Sequence, residues 1–340
     1  MQASADSLHI RRWATVGALC LAAAIALPLL VPSYYTQFTT KVYIMGMLAM
    51  ALNLAVGHGG LVSLCHGAFF GVAGYALALA TPRYDPAAIW WTLPLAVATA
   101  AAVALIIGAL ALRTRGIYFI MVTLAFGEML FFLFFDTQFA GGSDGIFINT
   151  KPEVALFGLS LLDLDKPLSF YFVVLAALVA VIAVLMMLVH SPFGHALAAA
   201  RDNERRVRAL GFPVFRIRLT AFTISGALAG LAGYFAAAQF GFVVPQMLGW
   251  HVSATVLVMV LIGGLRSVTG PLVGALVLLG LEGVLKATTE YWKLIEGIVV
   301  ILLVIVLPNG LRQLLPHLRG PEPDARPAKE TPHTADAGHA

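Results

Sequence analysis

About ten apolar stretches divide the sequence, at 13–31, 42–56, 61–80, 88–112, 117–135, 168–189, 219–242, 252–265, 268–285 and 292–308. A helix crossing a bilayer needs about 20 apolar residues, so most of these can span, and those at 42–56 and 252–265 are short. Polar positions collect between them. The longest strongly basic run is 191–213, SPFGHALAAARDNERRVRALGFP, with Arg201, Arg205, Arg206 and Arg208 against Asp202 and Glu204. Its spacing predicts one helix, capped by Ser191, with Pro192 in the first turn and Gly211 and Pro213 as the stop. Leu197, Ala200, Val207 and Leu210 fall on one side, and Arg201, Arg205 and Arg208 on another. An amphipathic helix between two spans must bury its apolar side against those spans or against a partner protein.

Composition sets the class. The 340 residues are 60% hydrophobic and 11% charged, whereas soluble domains carry about 25% charged residues. This is an integral membrane protein. Its net charge of +4 reads as positive charge on cytoplasmic loops rather than as a nucleic-acid surface. Arg11 and Arg12 place the N-terminus inside, and Arg113 and Arg115 then also fall inside. The 136–167 loop falls outside, with Asp136, Asp144, Glu153, Asp163 and Asp165 against Lys151 and Lys166. The six arginines of 190–218 fall inside again, followed by Arg266, Arg312 and Arg319. An even number of crossings with both termini cytoplasmic satisfies this pattern. The basic, then apolar start resembles a signal peptide, but no small-x-small site follows Pro32, so it reads as an uncleaved first span.

The organisation expected is therefore a cytoplasmic segment at 1–12, a membrane domain at 13–310 and a cytoplasmic tail at 311–340, too polar to bury a core. Cys20 and Cys65 lie in apolar runs, which predicts packing roles and no disulfide framework. Gly67 with Gly71, Gly226 with Gly230, and Gly270 with Gly274 have the spacing of close helix contacts. GVAGY at 71–75 echoes GLAGY at 230–234. Both run outward in this topology, so the echo is read as compositional rather than as an inverted repeat.

Candidate chemistry is sparse. No G-x-x-x-x-G-K-[ST] loop is present, so any ATP must be bound by another subunit. His333 and His339 lack metal-ligand spacing, and no cofactor or metal is expected. Glu128, in FGEML, is a carboxylate within an apolar run. It either serves a pathway or lies near the outer interface, satisfied by a neighbouring helix. Glu282 and Glu296 lie nearer span ends. Asn53, Ser63 and His66 flank a glycine-rich break, HGGLVS, which either lines a pathway or forms a tight cytoplasmic turn. Ser63 with His66 lacks a G-x-S-x-G elbow and an acid partner, which argues against hydrolysis.

Several ordered blocks then carry a resemblance: LNLAVGHGGLVSLCHGAFFGVAGY (52–75), RTRGIYFIMVTLAFGEM (113–129), GGSDGI (141–146), SPFGHALAAARDNERRVRALG (191–211), AFTISGALAGLAGY (221–234) and LPNGL (307–311). The chain resembles the permeases of branched-chain amino-acid ABC importers, LivM type. That resemblance implies an all-α polytopic permease of type II-like ABC importer architecture, in a bacterial inner membrane. It also implies a second, LivH-like permease, two cytosolic ABC ATPases that bind ATP and Mg, and a periplasmic substrate-binding protein. The 191–211 helix would dock on the ATPase through Arg201, Asp202, Asn203, Glu204, Arg205, Arg206, Ala209 and Gly211. Glu204 precedes Gly211 by seven residues, with Arg205 and Arg206 where the importer motif has small residues. Val252 and Ala254 stand where relatives often carry an acid, and Arg266 where they have glycine. The solute is therefore open among branched-chain and other amino acids, urea and short amides. An ion-driven secondary transporter using Glu128 is the other reading of the residues themselves.

Overall fold

The computed structural model describes residues 22–28, 31–82, 87–148, 150–156, 159–162, 164–265 and 267–306. Most of the first span, Cys20, Asp163, Arg266, Arg312, Arg319, LPNGL and the expected tail lie outside these residues. Among these residues twelve α-helices run in order: α1, described over 22–28, then α2 (Ser33–Asn53), α3 (His66–Ala80), α4 (Ile89–Ala111), α5 (Ile117–Asp136), α6 (Pro167–His190), α7 (Pro192–Asp202), α8 (Glu204–Ala209), α9 (Val214–Phe240), α10 (Trp250–Gly263), α11 (Gly270–Thr288) and α12 (Trp292–Val306). Each predicted apolar stretch is helical over at least part of its described length. Among the described residues six helices are long and apolar enough to cross a membrane: α2 with its π-helical extension, α4, α5, α6, α9 and α11.

Three expectations change. The short stretch at 42–56 belongs to a helix of 26 residues, Ser33–His58. Thr36, Thr39, Thr40 and Lys41 hide its first half from an apolar reading. The Thr39 and Thr40 hydroxyls donate to the carbonyls of Tyr35 and Thr36, both at 2.8 Å, so these polar groups are satisfied within the helix. The predicted helix over 191–211 is two helices, α7 and α8, meeting at an extended Asn203 (φ −152°, ψ 91°). The Asn203 side chain accepts from the Arg206 N–H at 3.1 Å and caps the second helix, which favours a new start over continuation. Leu210, placed on the buried side by a single-helix projection, is 70% exposed.

Both ends of the predicted segment hold. Ser191 Oγ accepts from the Gly194 N–H at 3.2 Å, and Gly211 adopts φ +84°.

α9 is the central post, packed along α4, α3 and α2. Small residues allow this. Ala96, Ala100 and Ala104 recur every four positions on α4, all fully buried, and meet Gly226 and Gly230 of α9. The two echoed glycine segments also pack together, since Gly230 faces Ala73 and Gly74 faces Ala237. In lipid, where apolar faces gain little by meeting, such close backbone approach is a main source of helix association.

Two short antiparallel ribbons join the helices. Ile146–Phe147 (β1) pairs with Phe242–Val243 (β4), and Val154–Leu156 (β2) pairs with Leu159–Leu162 (β3). They lie at the end of the bundle where α5 and α9 finish, opposite the α7–α8 elbow. The polar loop of 136–167 and the basic run of 191–213 thus occupy opposite ends.

α3 and α10 have 15 and 14 residues, roughly 21–23 Å at 1.5 Å per residue, which falls short of the ~30 Å hydrocarbon core. Both start part-way along α5 rather than at either of its ends. The Leu64 N–H, just before α3, donates to Thr123 of α5 at 3.3 Å. The first N–H of α10, at Trp250, donates to Glu128 of α5 at 3.2 Å. Non-helical backbone at such depth persists where protein surrounds it.

Candidate coupling elbow and translocation elements

The α7–α8 elbow buries Leu197, Ala200 and Val207, the last two with Val214 of α9. Its charges divide by direction. Arg201 turns inward: its guanidinium donates to the Gly57 carbonyl and, at 3.0 and 3.1 Å, to Asp202. The Arg201 stem lies against Gly60. Glu204 also turns inward, as the hub of three arginines: Arg208 at 2.6 Å, Arg218 at 2.9 Å and Arg115 at 3.2 Å. Arg218 further donates to the Ala200 carbonyl at 3.0 Å. Glu204 therefore joins the elbow to the α4–α5 turn and to α9. Arg205, Arg206, Ala209 and Gly211 remain exposed, beside exposed Leu210 and Phe212. Asp202 and Asn203 are exposed too, though each is already bonded within the elbow.

Gly57 lies in the π-helical turn Leu54–His58 that ends α2. The chain leaves this turn through Gly60 at φ +67°, with N–H groups of Gly59, Gly60 and Leu61 closing on the carbonyls of Leu54, Val56 and Ala55. A side chain larger than hydrogen at Gly57 would strike the Leu265 carbonyl and Asn53 Oδ1. Asn53 is buried, and its amide donates to the Ser267 carbonyl at 2.8 Å. The turn thus contacts the elbow on one side and the α10–α11 connection on the other.

Ser63 and His66 come together, but in the core. His66 is fully buried. Its Nδ1 pairs with Ser63 Oγ at 3.2 Å and its Nε2 with Ser225 Oγ at 2.7 Å, while Ser225 donates to the Ala51 carbonyl. Phe69 and Phe222 pack edge-on against the ring. Ser253 Oγ accepts the Gly67 N–H at 2.7 Å. This knot fastens α2, α3 and α9 where α3 begins, and His66 and Ser63 face protein rather than open space. Replacing His66 with Ala removes two hydrogen bonds from the core, while Ser63 keeps its contacts with Cys65 and Ser225 its bond to the Ala51 carbonyl. The expected cost is about 2 kcal/mol, read as a lowered unfolding temperature in detergent; an unchanged temperature contradicts the knot.

Glu128 is half-buried and holds the start of α10, a helix on which Trp250, His251 and Thr255 are exposed. A carboxylate at a helix N-terminus is favoured by the dipole and the free N–H groups. Glu282 pairs with Lys286, whose ammonium lies 4.3 Å from the Trp292 ring centre. Among the described residues no cluster of His, Cys, Asp and Glu has metal-binding geometry, and the one described cysteine, Cys65, is buried and free.

Sequence reasoning used Arg115 only to orient the chain and missed Arg218, Ser225 and Ser267 as contact residues. Ser225 alone had a usable signal: a serine deep in an apolar run must find a partner. The Glu204 pairings to Arg115 and the Glu128 contact with Trp250 cross 89 and 122 residues, and no local pattern encodes them.

A bundle of apolar helices, two of them short and starting part-way along α5, with an amphipathic elbow fastened into it, defines a multi-pass membrane transport subunit. Residues 34–304 match the family described as branched-chain amino acid transport system / permease component. The chain belongs to that family: it is a transport component and not an enzyme. It is 34% identical over 310 residues to the high-affinity branched-chain amino acid transport system permease protein LivM of Escherichia coli K12, covering 86% of this chain and 73% of the relative. It is 30% identical over 212 residues to the L-arabinose ABC transporter permease protein AraH of Azospirillum brasilense, 60% of each chain. Over 134 residues it is 26% identical to the LivH permease of Salmonella typhimurium, 39% of this chain and 43% of the relative. No solved structure matches the chain.

Proposed function

We propose that the chain is one of two paired permeases of an ATP-driven importer for branched-chain or related amino acids. Its elbow and both termini would face the cytoplasm. Two ATPase subunits bind ATP and Mg there, and a solute-binding protein delivers the cargo to the ribbon end. The observation that carries this reading is the Arg201–Gly57 bond. It ties a surface elbow with an exposed basic and apolar outer side to the break of α2, and Gly57 in turn abuts the α10–α11 connection. Motion imposed on α7–α8 by a docked ATPase then reaches α2 and α10 without passing through lipid-facing helices. The likeness to LivM over most of both chains supports the amino-acid assignment, and the likeness to AraH keeps other small polar solutes as alternatives.

In this assignment Arg205, Arg206, Leu210 and Phe212 form the docking side, while Arg201 and Glu204 position the elbow from within. The pathway side is that of α5 and α10. Glu128, His251 and Thr255 sit there at membrane depth with part of their surface open, and polar groups at that depth face a partner or a water-filled route rather than lipid. Asn53 acts through the break, and Ser63 and His66 hold the core.

The secondary-transporter reading makes a distinct demand on Glu128. If it carries a coupling proton, Glu128→Gln abolishes uptake and an uncoupler does so too. As a cap it need only accept a hydrogen bond, which the Gln oxygen also does. We expect Glu128→Gln to retain uptake within about tenfold, consistent with the roughly 1 kcal/mol worth of a charged group at a helix end. Uptake should stay ATP-dependent in both proteins, measured in right-side-out vesicles with labelled amino acid. Complete loss in the variant, with wild-type uptake collapsed by an uncoupler at constant ATP, transfers the assignment to ion coupling.

A further inference from the structure

Two adjoining pockets open where α4 ends and α5 and α9 begin, of about 450 and 310 Å³. They share Leu112, Arg115, Glu204 and Arg218, so the Glu204 ion cluster is the wall between them. Arg113 and Arg208 line the second. Four guanidinium groups and one carboxylate thus line the double pocket, a surplus of three positive charges. Arg218 is mostly buried, and its Nε has no acceptor among the described residues. A buried donor without an acceptor costs stability, and a surplus of this size calls for an anion with several oxygens.

We propose that this double pocket binds the phosphate-bearing headgroup of an acidic phospholipid. The pockets lie at the ends of spanning helices, the level at which headgroups sit. Exposed apolar side chains line them, Ile117 of α5 and Phe215 of α9, and Ile106 and Leu110 in the last turns of α4 are exposed as well. Acyl chains can lie along these side chains while the arginines hold the phosphate, and guanidinium matches phosphate geometry in two-pronged contacts. Basic pockets between helices of this kind suit anionic headgroups. The outward residues Arg205 and Arg206 line neither pocket, so the site is separate from the docking side proposed above. It does not depend on which solute is carried. Its consequence is that a lipid would brace the same Glu204 cluster that holds the elbow.

The test is native mass spectrometry of the protein, purified in detergent with whatever subunits accompany it and mixed with phosphatidylglycerol or phosphatidylcholine of identical acyl chains. Wild type is expected to retain phosphatidylglycerol at least tenfold better, and to lose about fivefold of that preference for each of Arg113→Gln and Arg115→Gln. Both side chains are exposed, so folding is preserved, which unfolding temperature checks. Arg205→Gln/Arg206→Gln should keep the wild-type preference. Equal retention of the two lipids by wild type overturns the proposal without any variant. So does an undiminished preference in the Arg113 and Arg115 variants. If millimolar inorganic phosphate displaces the lipid completely and is itself retained, the pocket is a free-phosphate site and the lipid assignment fails. If the preference vanishes only when ATPase subunits are bound, the pocket belongs to that interface instead.

Discussion

Arg201→Ala is expected to cut solute uptake by about tenfold or more while the variant stays in the membrane at normal levels and the assembled complex still hydrolyses ATP. Arg201 makes the direct polar link between the elbow and the turn that ends α2, through the Gly57 carbonyl. Hydrogen bonds from a charged donor contribute roughly 1.5–3 kcal/mol, and each 1.4 kcal/mol is a factor of ten. Losing the bond would let the elbow move without α2 following. The Asp202 carboxylate, which steadies the guanidinium at 3.0 Å, has no substitute partner in the variant. Arg201→Lys distinguishes a positional role from mere charge: lysine can reach the carbonyl but cannot hold it and Asp202 with one planar fork, so an intermediate loss is expected. The assay is parallel measurement of uptake and ATP hydrolysis in proteoliposomes. Equal falls in both activities would mean that Arg201 serves ATPase docking or folding rather than transmission.

Gly233→Leu is expected to remove folded protein from the membrane altogether. A Cβ at Gly233 would collide with the Phe70 backbone carbonyl, and with Phe70 C and Cα at 2.7 and 2.9 Å. Backbone cannot yield as a side-chain tip does. Relief requires α9 to separate from α3, which breaks the contact of Gly230, three residues earlier on α9, with Ala73 of α3. Overpacking a core commonly costs 1–3 kcal/mol, and more where backbone must shift. Gly283→Leu is the matched control, because the nearest atom to a Cβ there is a Phe38 ring carbon at 3.9 Å. Membrane abundance by immunoblot, with unfolding in detergent, reads the difference. Normal abundance of the Gly233 variant would show that α3 and α9 do not meet as described.

Much of this architecture is written in local pattern. The ends of the spans follow apolar runs, and Ser191, Pro192 and Gly211 mark the elbow as their chemistry requires. The glycine spacings of α3, α9 and α11 announce close contacts, though not with which helix. What was hidden is equally specific. Threonines that satisfy their own hydroxyls concealed half of α2. Asn203 is compatible with a helix interior in ARDNERR, and only its bond to the Arg206 N–H shows that the helix restarts there. The directions of Arg201 and Glu204 could not be read, because their partners Gly57, Arg115 and Arg218 lie on other spans. His66 looked like a pathway group by its place after a glycine break. Burial among Phe69, Phe222, Ser63 and Ser225 makes it a core tie.

The central claim is that this permease moves solute only when ATPase subunits drive its elbow. The direct measurement is uptake of labelled branched-chain amino acid into proteoliposomes containing the chain alone, the chain with its copurifying subunits, and the latter with a protonophore present. The account predicts uptake only in the assembled sample, dependent on ATP and indifferent to the protonophore. Uptake by the chain alone, collapsed by the protonophore, would contradict it.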